Sequence, residues 1–184
     1  MTLHRPFKSV LIANRGEIAA RLVEEARYAK VRSIAVYSDA DKENYHARHA
    51  DIAIHIGAST PQQSYLNVER VLAAAKATGA EAVHPGYGFL SENADFAQAV
   101  IDANMVWIGP SPASIRAMGV KGNAKQIAVK ADVPVIPGYD GADQSSAKLL
   151  AEAKKIGWPV LIKAAMGGGG RGQYRALRPR QRYR

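Results

Sequence analysis

The sequence predicts an α/β protein built on a doubly wound parallel sheet, and three observations carry that prediction. Five short apolar runs recur between residues 9 and 109, and stretches with helical spacing separate them. Two polar, glycine-bearing loops, 14–16 and 84–93, follow strands at their carboxyl ends, where such sheets hold ligands. A chain of 184 residues with 47% apolar and 22% charged residues has a globular composition, long enough for one domain and part of a second.

The first strand is expected at 9–13, with Val10, Leu11 and Ile12 as its apolar run. Asn14, Arg15, Gly16 and Glu17 turn the chain into a helix whose Ile18, Leu22, Val23 and Ala26 share a face. The second strand, 33–37, ends in the acidic loop Ser38-Asp39-Ala40-Asp41. A short polar stretch through His46 and His49 leads to a third strand, 52–56. Asn67 can cap the next helix, where Val68, Val71, Leu72 and Ala75 keep the helical period until Gly79 ends it. The fourth strand is 82–84. Phe96, Ala97, Val100 and Ile101 mark the following helix, and 106–109 is the fifth strand.

Pro110 and Pro112 punctuate the end of that unit. Helical stretches are expected at 114–118 and 121–131, then a Pro/Gly turn segment at 133–141. Ser145 or Ser146 caps a helix with Leu149, Leu150, Ala153 and Ile156 inward, stopped by Gly157 and Pro159. Val160-Leu161-Ile162-Lys163 is expected to form a buried strand that runs into the glycines Gly167, Gly168, Gly169 and Gly170. Glycines carry no side chain to keep a ligand from the backbone, so their amides can converge on phosphate oxygens. Lys163 and Arg171 flank the run with positive charge, and Lys121 opens an earlier helix. Two lysines from separate elements can reach the phosphates of one nucleotide. No Lys-Ser or Lys-Thr follows the glycines, which excludes the common P-loop.

Other readings are weaker. The turn after the first strand has one glycine where a nicotinamide-binding fingerprint needs three, and Asn14 and Arg15 fill the space of a pyrophosphate. His46 and His49, three apart, lack further ligands for a metal and are expected on a solvated helix face. The loop 84–93 is longer than a plain connection needs. It is either ligand-facing, with Tyr87 as a wall, or packs against a neighbouring subunit or domain. The net charge of +9 belongs to six arginines after Gly170, and without them the balance is +3. Nucleic acid is therefore not an expected partner of the body of the chain. With no cysteine, no apolar leader and no run of 18 apolar residues, the chain is expected in the cytoplasm, away from membranes.

Taken together, these residues resemble the biotin carboxylase family. The matching stretches are Ile12-Ala13-Asn14-Arg15-Gly16-Glu17-Ile18-Ala19, the whole loop from His84 to Asn93, Ile108-Gly109-Pro110 with Met118-Gly119-Val120-Lys121, and 163–172. The resemblance runs from about residue 8 to residue 172 and looks most like the α subunits of methylcrotonyl- or other acyl-CoA carboxylases. It implies a Rossmann-like biotin carboxylase N-terminal domain at 1–118 and the incomplete start of an ATP-grasp domain at 119–172. It also implies a ligase that uses ATP and bicarbonate to carboxylate biotin borne on a carrier domain, often as a homodimer or within a larger carboxylase complex. In that family, positions matching Lys121, Lys163, Gly169 and Gly170 bind ATP, and Tyr87 and Gly88 lie near biotin. The family's Mg²⁺ ligands and catalytic residues lie further downstream, so none is carried over. From Gln173 the chain leaves the family's pattern for a basic tail, 173–184. The expectation is an inactive N-terminal fragment whose strand 160–163 lacks its flap partners. The alternative is a non-catalytic nucleotide-binding protein, or a nucleic-acid binder acting through the tail.

Overall fold

Strand β1 (Ser9–Ile12) is buried at every position because helices cover both faces of the sheet it centres. In the computed structural model of the chain, residues 7–119, 121–163 and 173–176 are described. They divide into two units, Met1–Ile115 and Arg116–Arg184. The first unit holds α1 (Gly16–Tyr28), β2 (Arg32–Ser38), α2 (Tyr45–His49), β3 (Ile52–Gly57), α3 (Val68–Ala77), β4 (Ala82–His84), α4 (Ala94–Asp102) and β5 (Val106–Trp107). All sheet neighbours are parallel and the spatial order is β3-β2-β1-β4-β5. The chain winds outward from β1 through β2 to β3, returns to β4 beside β1, and winds the other way to β5. The predicted doubly wound sheet is the observed one.

Alternation along the central strands sends side chains to opposite faces. Leu11, Ile34, Val36 and Val83 join Val71, Ala75, Phe96 and Val100 of α3 and α4 in one core, and Tyr65 lies in the same cluster. Ile12 joins Ala19 and Val23 of α1 on the other side. Asn67 caps α3 by accepting from the Arg70 N–H at 3.0 Å, and Gly79 follows that helix at φ +62, a region where a Cβ is costly. Asn93 caps α4 in the same way at 2.9 Å.

Some elements differ from expectation. Strand β5 covers only Val106–Trp107, because the Trp107 indole N–H takes the Pro110 carbonyl at 2.9 Å and turns the chain. Ile101, one of the four apolar residues that mark α4, is exposed, while Phe96, Ala97 and Val100 are fully buried. His46 is also fully buried, not on a solvated face. Its imidazole Nε2 hydrogen-bonds the Val36 carbonyl at 3.3 Å, which docks the five-residue α2 on β2. His49 is exposed and stacks on Tyr45.

The second unit contains α6 (Lys121–Lys130), α7 (Ser146–Ile156), β6 (Val160–Lys163) and β7 (Gln173–Ala176); α5 (Pro112–Gly119) spans the division. Strand β6 is not solitary: β7 pairs with it antiparallel, Val160 opposite Ala176 and Lys163 opposite Gln173. Its backbone ladder is thus satisfied by residues expected to be an off-pattern tail. Nor is β6 the buried strand its apolar run predicted, for Leu161 and Ile162 are both exposed. Ser145 caps α7, but no residue of α7 is buried, and Leu150 and Ile156, expected inward, are exposed. Among the described residues no helix is long and apolar enough to cross a membrane.

Phe96 is fully buried and meets Trp107 edge-on, ring centroids 5.5 Å apart. Phe96→Ala should lower the stability of the first unit by about 3–5 kcal/mol. Urea unfolding followed by far-ultraviolet circular dichroism checks this, and a loss under about 1 kcal/mol would show that the core closes over the gap.

Candidate functional site

In a doubly wound sheet the loops after the two central strands leave in opposite directions and open a crevice at the carboxyl ends of those strands. Here that point lies between β1 and β4, where the Ala13 N–H still donates to the His84 carbonyl at 2.9 Å. Asn14, 1% exposed, fills the crevice. Its Nδ2 donates to the carbonyls of Pro85 at 2.8 Å and Tyr87 at 3.0 Å, and its Oδ1 accepts from the Arg15 N–H at 2.9 Å. One side chain therefore ties the 14–16 turn to the 84–93 loop.

Arg15 extends the tie. Its guanidinium pairs with Asp41 at 3.2 Å and lies 5.7 and 5.9 Å from the ring centroids of Tyr65 and Phe89. The Asp41 carboxylate also accepts from the Tyr65 hydroxyl at 2.8 Å, the Ser38 hydroxyl at 2.9 Å and the Asn44 amide. Burial is the largest influence on Asp41 and pushes its pKa up. The bonds from Tyr65, Ser38 and Arg15, with the Arg15 charge, outweigh it and hold the carboxyl below its ordinary value. Burial, then the bond to Asp41, drives the Tyr65 hydroxyl far up, so Tyr65 remains a neutral donor. Tyr65 stacks on Phe89 at 5.2 Å. Asp39, the other acid of the predicted acidic loop, pairs instead with the exposed His55 at 2.6 Å.

On this frame the loop presents two of the predicted site residues. Tyr87 is 58% exposed and its hydroxyl donates to Glu17 at 2.6 Å. Gly88 has φ +73, and a Cβ added there would meet nothing within 4 Å, so its outer side is open to a ligand. Gly86 is the opposite case: at φ +64 an added Cβ would lie 2.7 Å from Asn14 Nδ2 and 2.8 Å from Ile18 Cγ2. The Gly86 N–H donates to His84 Nδ1 at 2.9 Å, which requires an imidazole with Nδ1 unprotonated. Burial lowers the His84 pKa and favours that neutral ring.

The nucleotide residues predicted from sequence belong to the second unit. Lys121 is the first residue of α6 and Lys163 the last of β6. Gly167, Gly168, Gly169 and Gly170 lie outside the described residues, between β6 and its partner β7. Among the described residues no group of three or more His, Asp or Glu is placed to hold a metal ion. Sequence reasoning singled out Asn14, Arg15 and Asp41 without connecting them, and it missed Tyr65. Tyr65 sits in a Pro- and Asn-bounded segment with no periodicity, and its acceptor lies 24 residues upstream.

Comparison with known proteins places these features in a family. Residues 6–115 match the model of the biotin carboxylase N-terminal domain, and residues 121–180 match that of the ATP-binding domain of the carbamoyl-phosphate synthase L chain. The mitochondrial methylcrotonoyl-CoA carboxylase subunit alpha of Dictyostelium discoideum is 51% identical over 168 residues, 91% of this chain and 24% of that protein. The biotin-dependent acyl-coenzyme A carboxylase alpha3 subunit of Mycobacterium leprae is 53% identical over 163 residues, 89% of this chain and 27% of that one. The chain thus spans about a quarter of the length of these relatives. Among solved structures, a biotin carboxylase–β-γ-ATP complex from Campylobacter jejuni superposes with a TM-score of 0.86 at 46% identity, over 93% of this chain and 38% of that one. The biotin carboxylase domain dimer of Hydrogenobacter thermophilus 2-oxoglutarate carboxylase, solved with MgADP, ADP and bicarbonate, gives 0.86 at 42% identity, over 95% and 38%.

The shifted groups set a pH dependence. Burial first, against the Val36 bond and Asp41, lowers the His46 pKa below 6.5, as burial does for His84. Both histidines therefore stabilise the fold fully above pH 6.5, and that contribution is lost as pH falls through their lower folded values. Asp41 adds a second loss below its ordinary value of 3.8. Urea midpoints measured against pH should fall in these two stages. Asp41→Asn should cost about 2–3 kcal/mol at neutral pH and shrink the lower stage; a variant with an unchanged profile would show the network to be idle.

Proposed function

The chain belongs to the biotin carboxylase family, and from that premise we propose that it supplies the N-terminal part of an enzyme that uses ATP to carboxylate biotin with bicarbonate, as the α subunit of an acyl-CoA carboxylase. The observation that carries this reading is the 84–93 loop. The stretch that resembles the family most specifically is also the one held rigidly at the switch point, with Tyr87 and Gly88 turned outward. Biotin, borne on a carrier domain, is assigned to that outer surface, where an aromatic wall and an open glycine suit a flat bicyclic ligand.

ATP is assigned to the second unit as a substrate. Lys121, opening α6, and Lys163, ending β6, are the point charges for its phosphates, and the amides of Gly167–Gly170 complete the cradle. In this reaction the γ-phosphoryl group passes to a bicarbonate oxygen with ADP as leaving group, and the carboxyl of the resulting carboxyphosphate then passes to a biotin ureido nitrogen, releasing inorganic phosphate that takes up the ureido N–H proton. The lysines neutralise charge as the phosphoryl group moves, and closure of the glycines over it keeps water from a hydrolysable intermediate. Mg²⁺ would enter with the nucleotide; the described residues offer it no ligand cluster, so no residue of this chain is assigned to it. A homodimer or a larger carboxylase assembly is the expected setting.

Titration calorimetry of the chain with MgATP tests the nucleotide half. Binding should be measurable at millimolar nucleotide, and Lys163→Ala should weaken it about tenfold or more, the loss of one charge-assisted contact. No heat at that concentration, or an affinity unchanged by the substitution, would contradict the assignment.

A further inference from the structure

The Asn14 carboxamide can be oriented without ambiguity. Pro85 O and Tyr87 O only accept and Arg15 N–H only donates, so the –NH₂ must face the loop and the oxygen the turn. Every strong bond of this group is directed at backbone. The nearest substitutes fail this demand. Aspartate would set an oxygen against two carbonyl oxygens, alanine would leave the carbonyl of buried Pro85 without its donor, and glutamine would need an extra methylene in a closed space. The loop in turn fits around Asn14. A Cβ at Gly86 would press on its Nδ2, and the Gly86 N–H is fixed by His84. Phe89, at φ +41, holds a backbone conformation that non-glycine residues rarely adopt, and it keeps that conformation while stacked on Tyr65.

We propose that Asn14 is a positioning residue for the biotin-facing loop: its two donated bonds turn the carbonyls of Pro85 and Tyr87 inward and so fix where Tyr87 and Gly88 stand. Asn14 touches no substrate and acts through the backbone it holds. The inference rests on the assignment of that loop to biotin under Proposed function.

Amide hydrogen exchange and ¹⁵N–¹H spectra of the full chain test it, with Asn14→Asp as the decisive variant because it keeps the shape and removes the donors. The Gly86 amide should lose about tenfold or more of its protection in Asn14→Asp and in Asn14→Ala. Amides of β2 should keep theirs, which reports that the unit is folded. Unchanged Gly86 protection in a folded Asn14→Asp chain would overturn the proposal. If both variants fail to fold, the unsubstituted chain still decides: the Asn14 carboxamide protons should exchange slowly, and exchange at the rate of a free side chain would overturn it. Free biotin at millimolar concentration should shift the Tyr87 and Gly88 amides of the unsubstituted chain. Asn14→Asp should weaken that response about tenfold while leaving ATP affinity unchanged. An equal biotin response in the variant refutes the positioning role. Lost protection with no biotin response in either protein upholds the clasp and refutes the biotin assignment instead.

Discussion

The structure of the first unit turns on what closes the crevice between β1 and β4. Two loops that leave a sheet in opposite directions expose backbone groups to each other across a gap, and a buried carbonyl without a donor is costly. A bound phosphate commonly occupies that gap in nucleotide-binding relatives of this topology. Here a side chain does: Asn14 satisfies Pro85 and Tyr87 from within the fold. The crevice is filled before any ligand arrives, so the loop beside it is shaped in advance and its outer face becomes the usable surface.

The second consequence is a division of labour along the chain. The Arg15–Asp41–Tyr65–Phe89 circuit braces the loop through an ion pair, a stack of rings and a carboxylate that takes bonds from four side chains. Each bond is ordinary in strength, but the circuit is closed and its Asp41 and Tyr65 are buried, so loosening one member leaves others unsatisfied. The residues assigned to the nucleotide belong instead to the second unit: Lys121 at the start of α6, and Lys163 with the glycines that lie between the two strands of an antiparallel hairpin. A preformed wall suits a small rigid ring system, and a glycine-rich connection suits a long charged substrate around which it must close.

Much of this was legible in the residues. Short runs of Val, Leu and Ile placed the strands at Leu11, Ile34, Ile54 and Val83, and Asn67, Gly79 and Ser145 placed helix ends, because each of those signals is local. Burial of Tyr65 and His46 was not legible, since their partners Asp41 and Val36 are near in space through sheet packing and α2 is too short to show a period. Strand β7 was missed although Tyr174 and Ala176 alternate with Gln173 and Arg175. The arginine- and proline-rich composition of the last dozen residues outweighed a four-residue alternation. The stripe of α7 shows the reverse error: helical spacing was real, but what covers Leu150 and Ile156 is not fixed by spacing. At the site, the loop residues were readable as a motif, whereas the clasp beneath them needed the register of β1 against β4.

If protein seals the switch point, nucleotide must be held elsewhere, by the start of α6 and the hairpin that carries the glycines. Peptide-level hydrogen–deuterium exchange of the chain, with and without MgATP, reads this directly. Exchange should slow only at residues 160–176 and at the start of α6, with 13–16 unchanged. Slowed exchange at 13–16 with none at the hairpin would mean that phosphate displaces Asn14 from the crevice, and would contradict a protein-sealed switch point.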